Sequence, residues 1–209
     1  MKLDPFYLIV DSAEWIARLV PLGVKLVQLR IKDKETAELR AEIRTAKAVC
    51  AAHGCQLIVN DYWQLTIEEG CDFVHLGQED LEAADLGAIR AAGLKLGLST
   101  HDDVELGTAL AAKPDYIALG PIYPTILKQM KWSPQGPERL RIWKERLGDL
   151  PLVAIGGLNV DRIERVLTHG ADSAAVVTDI TLSAHPETRT QEWLAVTTRW
   201  RAAKTPLDR

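Results

Sequence analysis

The chain has 209 residues, 47% of them hydrophobic, and a net charge of -4. That is enough apolar material for a sizeable core, and the acidic balance, with no local run of Lys and Arg, argues against a nucleic-acid surface. The start Met1-Lys2-Leu3-Asp4-Pro5 interrupts any apolar signal core, and no stretch approaches about 20 uninterrupted apolar residues, so no export signal or membrane span is expected. In chain order, a short apolar run from Tyr7 to Val10 precedes Ser12, which can cap a helix through Leu22 ended by Gly23. Leu26 to Arg30 leads into a long amphipathic stretch from about Lys34 to His53, ended by Gly54. Leu57 to Asn60 is followed by a short helical segment, Tyr62 to Glu69, and Phe73 to Leu76 by a helix over Asp85 to Ala92 with Gly93 behind it. Lys95 to Ser99 precedes a helix over Asp102 to Ala112, and Tyr116 to Gly120 precedes one over Pro137 to Arg146. Leu152 to Ile155 precedes Asp161 to Thr168, stopped by Gly170, and Ser173 to Val177 precedes Arg189 to Ala202. The runs are short, apolar and often β-branched, as parallel strands buried on both faces are. Eight strand–helix pairs predict an α/β fold, a single (β/α)8 TIM barrel over residues 1–209, with a doubly wound open sheet as runner-up.

In such a barrel the active site lies at the C-terminal ends of the strands. The polar residues gather there: Gln28-Leu29-Arg30-Ile31-Lys32, Asn60-Asp61, His75-Leu76-Gly77-Gln78-Glu79-Asp80, Ser99-Thr100-His101-Asp102, Gly156-Gly157 and Val177-Thr178-Asp179. Period-two geometry points Gln28, Arg30 and Lys32 the same way, and a guanidinium fork beside an ammonium suits phosphate. The alternative is that Arg30 pairs with a barrel acid and Lys32 opens a solvated loop. Asp61 and Asp80 end neighbouring strands and could hold magnesium, which takes one or two carboxylates plus phosphate oxygens; they could also cap helices. Gly156-Gly157 and the turn after the eighth strand match the place where many barrels bind phosphate through backbone N–H groups. Cys50, Cys55 and Cys71 are odd in number and sparse, which suits a reducing cytoplasm. The spacing of Cys50, His53 and Cys55 fits no usual zinc pair.

Six strings in order span most of the chain: Val27-Gln28-Leu29-Arg30-Ile31-Lys32, Val59-Asn60-Asp61, Val74-His75-Leu76-Gly77-Gln78-Glu79-Asp80, Leu98-Ser99-Thr100-His101, Gly120-Pro121-Ile122-Tyr123-Pro124-Thr125 and Ala154-Ile155-Gly156-Gly157. Together they resemble the thiamine-phosphate synthase family. The resemblance implies a magnesium-dependent transferase that joins 4-amino-5-hydroxymethyl-2-methylpyrimidine diphosphate to a thiazole phosphate. It implies that Gln28, Arg30, Lys32 and Asn60 hold the pyrimidine diphosphate, that Asp61 and Asp80 bind magnesium, and that Ser99 contacts the pyrimidine. Lys128 would bind the diphosphate leaving group, with Arg30 and Lys32 as the other catalytic cations. Thr125, Gly157, Val177 and Thr178 would hold the thiazole phosphate, and Leu127 stands where the family carries a hydroxyl that faces the thiazole.

The expected partners are these small molecules, with neither nucleic acid nor membrane; a homo-oligomer is left open, since six tryptophans alone define no interface. Pro121 to Gly136 is long for a barrel connection and is expected to act as a lid. Two alternatives remain beside the synthase: a thiazole tautomerase on the same barrel, and a non-catalytic phosphate-binding barrel.

Overall fold

The structure, a computed structural model, describes residues 2–125 and 132–204. Its strands are β1 (Phe6–Val10), β2 (Leu26–Leu29), β3 (Gln56–Asn60), β4 (Phe73–Leu76), β5 (Lys95–Thr100), β6 (Tyr116–Leu119), β7 (Leu152–Ile155) and β8 (Ser173–Val176). They form a closed parallel barrel in sequence order, sealed where Phe6 and Leu8 of β1 align with Ala174 and Val176 of β8. The open-sheet alternative therefore fails. Closure leaves no sheet edge, and every strand is covered outside by helices.

Helices α1 (Ala13–Leu19), α2 (Thr36–His53), α3 (Trp63–Glu68), α4 (Gln78–Ala83) and α5 (Leu86–Ala91) follow the first four strands. Helices α6 (Asp103–Ala111), α7 (Glu138–Leu147), α8 (Ile163–Thr168), α9 (Thr178–Thr181) and α10 (Pro186–Lys204) follow the rest. Ser12 caps α1 by accepting from the Trp15 N–H, and Asp85 and Asp102 cap α5 and α6 in the same way. The first helix stops at Leu19 rather than Leu22 because Pro21, with no N–H, tightens the end into a 3-10 turn over Val20–Leu22. Gly54 ends α2 in the left-handed conformation, at φ 58°.

The alternation of each strand divides the core in two. One set of side chains, including Leu8, Val27, Val59 and Val74, packs outward under the helices, where Trp143 and Trp193 are fully buried. The other set fills the barrel: Tyr7, Ile9, Leu26, Ile58, Phe73, Tyr116, Ala118, Val153 and Ala175. Tyr116 has room because β5 carries glycine beside it. A Cβ on Gly97 would stand 2.2 Å from the Tyr116 ring.

Candidate active site

Above that apolar filling, the inward positions turn polar. Gln28 on β2, Asn60 on β3 and His75 on β4 are 3%, 5% and 6% exposed, and each has an accounted place. Gln28 Nε2 donates to Tyr7 Oη at 2.8 Å, Tyr7 and Tyr116 share a hydroxyl–hydroxyl bond of 2.9 Å, and Tyr116 Oη lies 2.6 Å from His75 Nδ1. His75 Nε2 reaches Ser99 Oγ at 2.7 Å on β5, and Gln78 Nε2 donates to the Ser99 carbonyl at 2.7 Å. Asn60 stands beside His75 in register. The structure thus joins Gln28 and Ser99 through side chains that motif reasoning did not assign: Tyr7, Tyr116 and His75. The available signal was strand parity, since Tyr7, His75 and Tyr116 fall on inward positions where an apolar residue would otherwise fill the barrel.

The charged groups stand at the rim. Lys32 donates to Asp61 Oδ2, so it is more than the start of a solvated loop. Arg30 is exposed at the end of β2 and pairs with no carboxylate among the described residues, which removes the alternative of a barrel ion pair. Its charge still reaches inward. Burial first, and then the nearby Arg30 cation, push the His75 imidazole down to about 3, so the ring is neutral.

Asp61 and Asp80 come together as their strand ends suggested. The Asp80 carboxyl is raised above the ordinary aspartate range, by burial first and then by the charge of Asp61 and a hydrogen bond with it; Lys32 opposes the rise. Asp61 holds its place in the left-handed region, at φ 67°, with its N–H on the His75 carbonyl at 2.8 Å. It does not cap α3, whose N-cap is Tyr62. Asp80 lies in the first turn of α4, a helix not among those expected from the sequence, and accepts from the Gly77 N–H at the N-cap. For Asp80 the capping role is therefore real, and it aims the carboxylate toward Asp61. Two adjacent carboxylates that resist joint ionisation suit a divalent cation. Among the described residues no group of three or more His, Cys, Asp or Glu could hold a metal by itself. A magnesium site of two carboxylates completed by phosphate oxygens and water fits that count.

On the opposite rim, Gly157 sits at φ +65°, where a Cβ would come within 2.3 Å of the Pro124 carbonyl oxygen. Only glycine lets the β7 turn touch the loop after β6 so closely. Arg162 donates to the Gly157 carbonyl and lies 4.4 Å over the Tyr123 ring, which braces the same contact. Thr125 is half-buried on that loop, and Val177 and Thr178 form the entrance to α9. Leu127 and Lys128 lie outside the described residues. Beyond them Trp132 stacks on His101 at 3.9 Å and donates to Asp102 at 3.3 Å, tying the end of this loop to the one after β5.

A cleft of about 480 Å³ opens at the other end of the strands, between Lys25, Lys47, Cys50, Cys55, Cys71 and Asp72. It holds none of the polar strand ends. No helix among the described residues is long and apolar enough to cross a membrane.

The chain matches the family model described as thiamine monophosphate synthase over residues 6–180. It is 71% identical to a thiamine-phosphate synthase of Rhizobium etli, over 97% of this chain and 99% of that one. It is 52% identical to a thiamine-phosphate synthase of Salmonella typhimurium, over 91% of this chain and 90% of that one. Among solved structures, the thiamine phosphate pyrophosphorylase of Pyrococcus furiosus superposes with a TM-score of 0.83 at 26% identity, covering 94% of this chain and 96% of that one.

Proposed function

The chain belongs to the thiamine monophosphate synthase family, and from that premise we propose that its barrel mouth joins a pyrimidine diphosphate to a thiazole phosphate around magnesium. It is a transferase of thiamine biosynthesis. The observation that carries the finer reading is the convergence of Asp61, Asp80, Lys32 and Arg30 on one rim, directly above the polar floor of Gln28, Asn60 and Ser99. Asp61 and Asp80 would hold magnesium, which when bound supplies charge neutralisation for the departing diphosphate.

The chain's own residues do the rest. Arg30 offers a two-pronged donor and Lys32 a point charge to the diphosphate, and Lys32 is delivered to the rim by its bond to Asp61. Lys128 is assigned to the leaving diphosphate. Gln28, Asn60 and Ser99 line the floor where the pyrimidine would lie, and Thr125, Gly157, Val177 and Thr178 form the opposite rim for the thiazole phosphate. The pyrimidine methylene–oxygen bond breaks toward the cationic rim, and the thiazole nitrogen captures the carbon. No protein nucleophile is required, and none is assigned to Ser99 or His101. The whole catalytic unit is one barrel, and three free thiols support placing it in the cytoplasm.

A coupling assay with both substrates and magnesium tests this. Thiamine phosphate and diphosphate should form in equal amounts, and chelation should stop the reaction. A thiazole tautomerase would release no diphosphate, and a non-catalytic barrel would bind both ligands without product. Either result would overturn the reading.

A further inference from the structure

With the Gln28 amide presenting Nε2 to Tyr7, the chain from Gln28 to Ser99 takes one order of protons. Gln28 presents its Nε2 donor to Tyr7 Oη, so that oxygen accepts and its own proton must go elsewhere. The other partner within reach is Tyr116 Oη at 2.9 Å, and Tyr116 in turn has His75 Nδ1 at 2.6 Å. The reverse order would point the Tyr7 proton at the Gln28 amide N–H, leaving a donor unmet in a barrel where Tyr7 is 1% and Tyr116 0% exposed. An unmet buried donor is costly, so the forward order is favoured. Tyr116 then donates to His75 Nδ1. With Nδ1 occupied as an acceptor, the N–H of the ring must be on Nε2, facing Ser99 Oγ at 2.7 Å. Stacking of His75 on Tyr116, with ring centroids 5.5 Å apart and an angle of 18°, holds the ring in this plane.

We propose that His75 is a positioning residue: the chain Gln28–Tyr7–Tyr116–His75 locks it as the Nε2–H tautomer, so that Ser99 accepts from it and turns its own hydroxyl proton toward the barrel mouth. Ser99 thereby becomes an oriented donor, selecting a ligand that presents an acceptor there, such as a heteroaromatic ring nitrogen. An exocyclic amino group could use only the remaining lone pair of Ser99 Oγ, and would leave the oriented proton unmatched. This rests on the reading that Ser99 faces the pyrimidine. The structural half, the tautomer, stands without it.

Two measurements decide. Nitrogen-15 correlation spectra of the imidazole rings in the unliganded wild-type protein, with His75 assigned by its loss in His75→Gln, should show protonated Nε2 and bare Nδ1. Protonated Nδ1 would overturn the proposal whatever the enzyme does. The second is a double-mutant cycle read as separate Michaelis constants. Ser99→Ala and His75→Leu should each raise the constant for pyrimidine diphosphate by about twofold to tenfold and leave that for thiazole phosphate unchanged. The double variant should be no worse than Ser99→Ala, because His75 acts through that hydroxyl. His75→Gln, which restores a donor near the Nε2 position, should recover part of the loss. Independent, multiplying losses or equal shifts for both substrates would sink the proposal. A wild-type protein that makes no thiamine phosphate would instead sink the functional reading, with the tautomer still settled by the spectra.

Discussion

Asp80 sits where a carboxylate is least comfortable, partly buried and bonded to a second carboxylate. Without a cation the pair must share a proton or repel, and Lys32 relieves only part of that. Asp80→Ala should keep a cooperative thermal transition yet lose most turnover. Near-normal turnover at limiting magnesium would show that the metal is held elsewhere. At Leu127 the expectation is chemical. Where the family's hydroxyl would face the thiazole, leucine forgoes one neutral hydrogen bond, worth about 0.5 to 1.5 kcal/mol, or roughly twofold to tenfold in affinity. Leu127→Thr should lower the Michaelis constant for thiazole phosphate and barely change that for the diphosphate. A rise instead would mark Leu127 as an adapted packing residue. Motif reasoning singled out Asp61, Asp80 and Lys32 because each lies just beyond the C-terminal end of a strand, and Ser99 through the family resemblance. It passed over Tyr7 and Tyr116, because their importance comes from partners 109 residues apart in the chain.

Loops and helix ends decide how the two rims are held. Gly157→Ala places a β-carbon against the Pro124 carbonyl in a left-handed conformation that alone costs about 1–2 kcal/mol for an L-residue. The variant should melt earlier and show a higher Michaelis constant for thiazole phosphate than for pyrimidine diphosphate; unchanged values for both would separate this turn from the site. On the outside, Arg40 and Arg44 of α2 clamp Glu69 at the end of α3, and those hydrogen bonds and charges hold its carboxyl below the ordinary value of 4.5. A depressed carboxyl stabilises the fold above its unfolded value, and that contribution fades as pH falls through the folded one. Glu69→Gln should therefore lower Tm at neutral pH, with the gap from wild type closing as pH drops below 4.5; a gap constant with pH would refute the charge argument. The element missed in the sequence, α4, is six residues long and starts without a side-chain cap from its N-cap Gly77. No periodic pattern is visible at that length, and the local signal was absorbed by a string of polar residues.

At the scale of the molecule, α10 holds the barrel seam shut. Trp193 is fully buried, stacks on Phe6 of β1 at 5.3 Å and donates to Asp179 at 2.8 Å, while Arg201 reaches Asp4 at 2.7 Å. Trp193→Ala should cost about 3–5 kcal/mol in urea unfolding, chiefly through the cavity, since Asp179 loses the indole bond but keeps Arg189 at 3.9 Å. A loss below about 1 kcal/mol would mean the seam is held without the helix. The sequence by itself determined the strands, their number and the rim on which the polar residues collect, because burial on both faces writes apolar runs and strand ends concentrate polar residues. Only the tertiary structure decided that β1 closes on β8, that Asp80 comes within hydrogen-bond reach of Asp61, and that Gln28 reaches Ser99 through three side chains. Those facts depend on distances between residues far apart in the chain. A strand pattern records which way a side chain points, but not what stands opposite it once the barrel has closed.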